Sequence, residues 1–181
     1  MKKIKTYIHE ALKLGISKRE KPFVPKTRLE LIKKINTLDV NRPDIIDVSN
    51  FDLTEIHSLS GAFQYMNCKH IIGLDKWDVS NITDFSNLFA DCTDLEEVRG
   101  TEYWDMSNAQ NCCGMFKNCM ALTTIDIDDW KLGKLRGADD MFLNCSKLVS
   151  IKGVDKLNNS RVQCNNTFRG CKCKPSWSIN I

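Results

Sequence analysis

The sequence predicts an α/β repeat fold, a solenoid of about five strand–helix coils of 26 residues behind an N-terminal helical cap. Three observations predict it. A phenylalanine recurs in phase at Phe63, Phe89, Phe116, Phe142 and Phe168, at spacings of 26, 27, 26 and 26 residues. Other positions keep step with it: Cys92, Cys119, Cys145 and Cys171 three residues later, with Met66 in the first copy; Leu95, Leu122 and Leu148 six later; Ile72, Val98, Ile125 and Ile151 nine later. Twelve residues before it stand Phe51, Trp77, Trp104 and Trp130, then the misfit Lys156. Self-similarity at such a period signals stacked units that share one core.

The units run 51–76, 77–103, 104–129, 130–155 and 156–181, the single extra residue falling near Gly100. Residues 1–50 precede them as a basic helical arm and cap. Within this arm, Ile4, Tyr7, Ile8, Ala11 and Leu12 line one face, which predicts a short amphipathic helix over 4–15, ended by Gly15. Residues 16–26, polar and basic with Pro22 and Pro25, read as a linker. A second helix is expected from Thr27 to about Leu38, with Leu29, Ile32 and Ile35 apolar, placed to cover the open end of the first coil.

Each unit then repeats two elements. The pairs Leu95–Val98, Leu122–Ile125 and Leu148–Ile151 suit a short strand. The run Asn81–Ala90 sets Ile82, Phe85, Leu88 and Phe89 at helical spacing, which predicts one or two helical turns, with Ser80–Asn81 and Ser107–Asn108 as caps or turn formers. A strand and a short helix in this length make the unit leucine-rich-repeat-like. The last unit is degenerate, with Lys156 at the tryptophan place, Arg161 at that of Ile82 and Lys174 at that of Leu95, as expected of a terminal unit facing water.

The stretch W-D-V-S-N-I-T-D-F-S-N-L-F-A-D-C-T-D-L, Trp77–Leu95, resembles the BspA-like proteins built from the 26-residue surface protein repeat, also called the mycoplasma lipoprotein repeat. That pattern is close to W-D-x-S-x-V-x-x-M-x-x-M-F-x-x-C-x-x-L-x-x-L/I, and the likeness covers roughly residues 45–172. The resemblance implies a leucine-rich-repeat-like solenoid with a binding or adhesion role and no known catalysis. Many such proteins are surface lipoproteins. Others are short, lack export signals and are encoded by gut bacteria and their phages, often with a leader similar to Pro25–Ile35 here.

Composition sets the outer bounds. The chain has 181 residues, 42% hydrophobic and 27% charged, which fits one globular domain with a modest appendage. No apolar run is long enough to span a membrane. The start Met1-Lys2-Lys3-Ile4-Lys5 imitates a signal peptide, but no continuous apolar core, cleavage site or lipobox cysteine follows. The expected location is therefore the cytoplasm or a virion. Residues 1–37 carry eleven Lys/Arg against three Asp/Glu, and the remainder fifteen against twenty. A basic arm on an acidic body can be a solvated helix face, a contact for an acidic protein, or a nucleic-acid contact through residues 1–37.

Candidate chemistry is sparse. No catalytic residue, cofactor or metal site is expected: there are three histidines, His9, His57 and His70, and no phosphate-binding glycine loop or nucleophile motif. Cys92, Cys119, Cys145 and Cys171 read as a buried ladder of small apolar groups, and Cys112 and Cys164 as core. Cys164, Cys171 and Cys173 cluster without the paired spacing of a zinc site. Trp77, Trp104 and Trp130 read either as a packing ladder or as an exposed aromatic strip for sugar or protein. Lys2, Lys3, Lys5, Lys18, Arg19, Lys21 and Trp177 are the candidate partner contacts. The function these features predict is a non-catalytic protein-binding or assembly module; the resemblance further implies an intracellular or phage-encoded protein, as a virion or host-interaction component. The alternatives are a surface adhesin for host protein or carbohydrate, and a nucleic-acid-associated protein. Self-association through the ends of the stack is also expected.

Overall fold

The computed structural model describes residues 21–41 and 43–178. The expected 4–15 helix, and with it Lys2, Lys3, Lys5, Lys18 and Arg19, lies outside the described residues. The first described element is α1, Arg28–Leu38, the only α-helix among them. It begins one residue after the expected start because Thr27 is its N-cap, in extended conformation, with its hydroxyl accepting the Glu30 N–H at 3.2 Å. Leu31 and Ile35, one turn apart, are fully buried against the first repeat unit.

The expected leucine-rich-repeat-like solenoid of strand–helix coils is not what the chain forms. Among the described residues its regular structure is one α-helix, two small parallel sheets and four short 3-10 helices. One sheet holds β1 (Ile45–Asp47), β2 (His70–Ile72) and β3 (Glu97–Val98); the other holds β4 (Thr124–Asp126) and β5 (Ser150–Lys152). Ile46, Ile71 and Val98 stand in register in the first, and Ile125 and Ile151 in the second. The buried ladder member of the first unit is therefore Ile71 rather than Ile72, because one residue fewer separates Met66 from β2 than separates Cys92 from β3.

Where a helix was expected, Asn81–Ala90, the chain makes tandem tight turns. Asn87 and Asp91 have left-handed backbone, φ 53° and 62°, which a helix cannot accommodate. The backbone donors also point elsewhere. Phe85, Asn87, Phe89 and Asp91 give their N–H groups to Asn111, Cys113, Met115 and Lys117 of the following unit at 2.8–2.9 Å. Leu88, Ala90 and Cys92 give theirs three residues back within the unit. Alternate donors thus close the turns and bind successive units together, and the next two units repeat the scheme. A second column of parallel bridges, Ser58, Asp84, Asn111, Gly137 and Gln163, runs beside these turns.

The core is columnar. The rings of Phe63, Phe89, Phe116 and Phe142 stack with centroids 5.3–5.5 Å apart, and Phe168 continues the column at 5.9 Å. Burying one such ring contributes roughly 1.5–3 kcal/mol, whereas fixing the backbone costs about 1–2 kcal/mol per residue. A unit alone cannot offset its own ordering, so its neighbours must share its side chains. At the last unit the tryptophan place is filled by Leu157, which is buried, and not by Lys156, because Leu157 follows the strand residue Ile151 at the spacing by which Trp77 follows Ile71 and Trp104 follows Val98. For the same reason Val162, not Arg161, packs at the place of Ile82.

Candidate binding surface

The ladder side chains are placed first, because their burial decides which faces are left for function. Trp77, Trp104 and Trp130 are buried, and their indole N–H groups donate to the carbonyls of Val48, Leu74 and Thr101 at 3.0, 2.9 and 2.7 Å. They offer no aromatic strip to a sugar. The thiols of Cys92, Cys119, Cys145 and Cys171 donate to the carbonyls of Phe63, Phe89, Phe116 and Phe142 at 2.8–3.0 Å. Burial pushes the Cys68 thiol up to about 12 and raises Cys112 and Cys119 as well, so these groups stay protonated and unreactive at neutral pH. All nine cysteines are free.

Among the described candidate contacts, Lys21 is exposed and its carbonyl accepts the Asn50 side-chain amide at 3.3 Å. Trp177 lies edge-on to Phe168, centroids 5.5 Å apart, and its indole N–H donates to Asp155 at 3.0 Å. It thus folds back over the end of the phenylalanine column. The remaining basic candidates lie outside the described residues.

Among the described residues several surfaces remain. Along the tandem turns, side-chain amides form a ladder: Asn144 donates to Asn118 at 2.9 Å, Asn118 to Asp91 at 2.6 Å, and Gln64 to Asp91 at 3.3 Å. These groups satisfy one another and leave little for a partner. At the last unit a small cavity opens beside Phe168. A third surface is a groove of about 390 Å³ over the strands, lined by Glu97, Arg99, Glu102, Thr124, Asp126, Ser150 and Lys152.

The groove exists because the strands belong to two sheets. β3 pairs with β2 and β4 with β5, and no strand pairing joins β3 to β4. Its charges come from the outward positions of the strands and the turns after them. Arg99 pairs with Glu97 at 2.6 Å; Lys152 pairs with Asp126 at 3.1 Å and Asp128 at 3.4 Å. The Asp128 backbone N–H, and then Lys152, hold the Asp126 carboxyl below its ordinary range, while Asp126 and Asp128 raise Lys152. Glu102 accepts the Gly100 N–H at 2.7 Å, which fixes the rim. The outcome is an open, acid-rich cleft with two cations. Such a lining suits polar side chains of a macromolecule. Among the described residues no cluster of three or more His, Cys, Asp or Glu side chains is placed to hold a metal ion.

Sequence reasoning missed this groove. Its residues sit beside the apolar ladder without a motif of their own, and only the break between the sheets brings them together.

A family model matches residues 57–175, which span the tandem turns, both stacked columns and the groove. The chain belongs to the family described as Mycoplasma protein of unknown function, DUF285. This is the mycoplasma repeat family at a coarse level. No curated protein and no solved structure matches the chain. No helix among the described residues is long and apolar enough to cross a membrane.

Proposed function

We propose that this DUF285 protein is a non-catalytic protein-binding module whose contact surface is the strand-side groove. The observation that carries the proposal is the groove itself. It is a polar, mixed-charge cleft at the seam of two sheets, held on a backbone whose units are bonded to one another along the tandem turns. Charged groups fixed by neighbours give orientation and register to a protein contact more than raw affinity.

The test is affinity capture from the native source with the tagged full chain, beside an Arg99→Glu/Lys152→Glu variant and a Lys134→Glu control on the Leu132–Leu135 turn. The expected result is a partner at fixed stoichiometry that the control retains and the groove variant loses. A stoichiometric partner retained equally by all three would move the contact surface elsewhere.

A further inference from the structure

The two ends of the stack are finished differently. At the first unit, α1 lies over the core through Leu31 and Ile35, and Arg28 donates to the Ser60 carbonyl, one of those facing away from the second unit. At the last unit, the turn at Ser176–Ser178 lays Trp177 against Phe168 and seals the apolar column. Among the described residues, nothing accepts from alternate backbone N–H groups beside it.

The bonding rule between units makes this specific. In the unit of Phe142, the N–H groups of Ala138, Asp140, Phe142 and Asn144 donate to Gln163, Asn165, Thr167 and Arg169 at 2.7, 2.9, 3.0 and 2.7 Å. The equivalent donors in the last unit are Cys164, Asn166, Phe168 and Gly170. Among the described residues, none of these four has an acceptor, although the donors between them, Thr167, Arg169 and Cys171, close their turns normally. A cavity of about 210 Å³ runs along this row, lined by Cys164, Asn166, Thr167, Phe168, Arg169, Lys174 and Ser178.

The charge of this end is mainly positive, its acidic neighbours being Asp155, which accepts the Trp177 indole N–H, and Asp139, which accepts the Asn165 N–H at 2.6 Å. From Lys156 to Ser178 the chain carries five Lys/Arg and no Asp or Glu. Arg161, Arg169, Lys172 and Lys174 are all exposed. The middle of the chain is opposite in sign: residues 51–150 hold eight Lys/Arg and sixteen Asp/Glu. A row of backbone N–H groups without acceptors, like an open sheet edge, attracts carbonyl oxygens and anions, and flanking cations add to that field. Trp177 has already taken the apolar contact, so what remains calls for a polar, negatively charged occupant.

We propose that this end of the stack is a docking site for an acidic peptide segment of a partner protein. The segment's carbonyls and carboxylates take the N–H groups of Asn166, Phe168 and Gly170, and its acidic side chains pair with Arg169 and Lys174. A second copy of the chain is a poorer occupant, because Arg28 already takes the Ser60 carbonyl in its complementary row. The site is separate from the strand-side groove and stands on its own observations.

The test uses the full chain and a fluorescein-labelled poly-glutamate peptide, with a poly-lysine peptide as the charge control. Fluorescence anisotropy should show binding of the acidic peptide alone, weakened at least about tenfold by Arg169→Glu/Lys174→Glu and unchanged by Lys134→Glu. Thermal melts confirm that the variants fold. Hydrogen exchange read by NMR should show the Asn166, Phe168 and Gly170 amides slowed on addition of the peptide. Four results would overturn the proposal. They are no binding, binding that leaves these amides unprotected, amides already protected in the monomeric free chain, and protection that rises with protein concentration alone.

Discussion

The thiol of Cys119 donates a hydrogen bond to the carbonyl oxygen of Phe89, one unit earlier, at 3.0 Å. Cys92, Cys145 and Cys171 make the same bond to Phe63, Phe116 and Phe142. The column therefore asks for a side chain that is small and can donate. Burial keeps the Cys119 thiol protonated, so the donor persists at neutral pH. Cys119→Ala should cost about 1–3 kcal/mol, from lost packing and a lost hydrogen bond. Cys119→Ser, which keeps a donor, should cost less. Urea denaturation of the two variants compares them; a serine variant weaker than the alanine variant would reduce the position to apolar packing.

The phenylalanine column makes a larger prediction. Phe116 is fully buried between Phe89 and Phe142, with centroids 5.3 and 5.5 Å away. Phe116→Ala leaves a cavity that neither neighbour can collapse into without breaking its own stack. The expected loss is about 3–5 kcal/mol. An unfolding midpoint unchanged from the parent chain would contradict the shared core.

Trp104 tests the polar half of the neighbouring column. Its indole N–H reaches the Leu74 carbonyl at 2.9 Å in a buried setting, and its ring stacks on Trp77 at 6.4 Å. Trp104→Phe keeps an aromatic ring but removes the donor and part of the stack. A destabilisation of about 1–3 kcal/mol is expected, read as a shift of the denaturation midpoint. A neutral outcome would mean that the hydrogen bond contributes nothing beyond the ring.

The columns of Phe63 to Phe168 and Trp77 to Trp130 were legible in the sequence because a side chain buried in every unit must recur in every unit. The helix expected at Asn81–Ala90 was not there to be read. Ile82, Phe85, Leu88 and Phe89 have helical spacing, but tandem turns return apolar residues to the core at the same intervals. The signal that separates the two lies in the polar residues. Gly61, Asn87, Gly114, Asp140 and Asn166 form one recurring left-handed position, and Tyr65, Asp91, Asn118, Asn144 and Gly170 another. All but Tyr65 are residue types that accept positive φ. The groove was illegible for a different reason. Glu97, Arg99, Asp126 and Lys152 are ordinary outward strand residues, and a break in backbone pairing leaves no mark on side-chain type.

Gly100 carries a backbone prediction. Its φ is +95°, and a Cβ placed there would lie 2.4 Å from the Asp75 backbone nitrogen. Gly100→Ala must therefore strain its own backbone and push apart two units. The cost should exceed about 1 kcal/mol. Gly133→Ala is the matched control, since nothing lies within 4 Å of its added Cβ. That change should be neutral or stabilise by about 0.4–1 kcal/mol through the unfolded chain. Thermal melts of both variants give the comparison, and equal effects would refute the close approach of Gly100 to Asp75.

The acid limit of the fold should be set by a column of aspartates. Asp52, Asp78 and Asp105 accept the backbone N–H groups of Thr54, Ser80 and Ser107 at 2.9, 3.0 and 3.1 Å. Hydroxyl and then backbone hydrogen bonds from those residues lower all three carboxyls below their ordinary value. A carboxyl depressed in the folded chain contributes stability that is present above its unfolded value of about 3.9 and lost as pH falls through the lower folded value. Stability should therefore be flat from neutral pH to about pH 5 and decline below about pH 4. Each contribution is small because the groups face water. Asp78→Asn/Asp105→Asn keeps an accepting oxygen in each turn but removes the titration. Urea midpoints measured from about pH 6 down to about pH 2.5 should fall less steeply in this variant than in the parent chain. Parallel curves would place the acid sensitivity on other carboxylates, Asp126 beside Lys152 first among them.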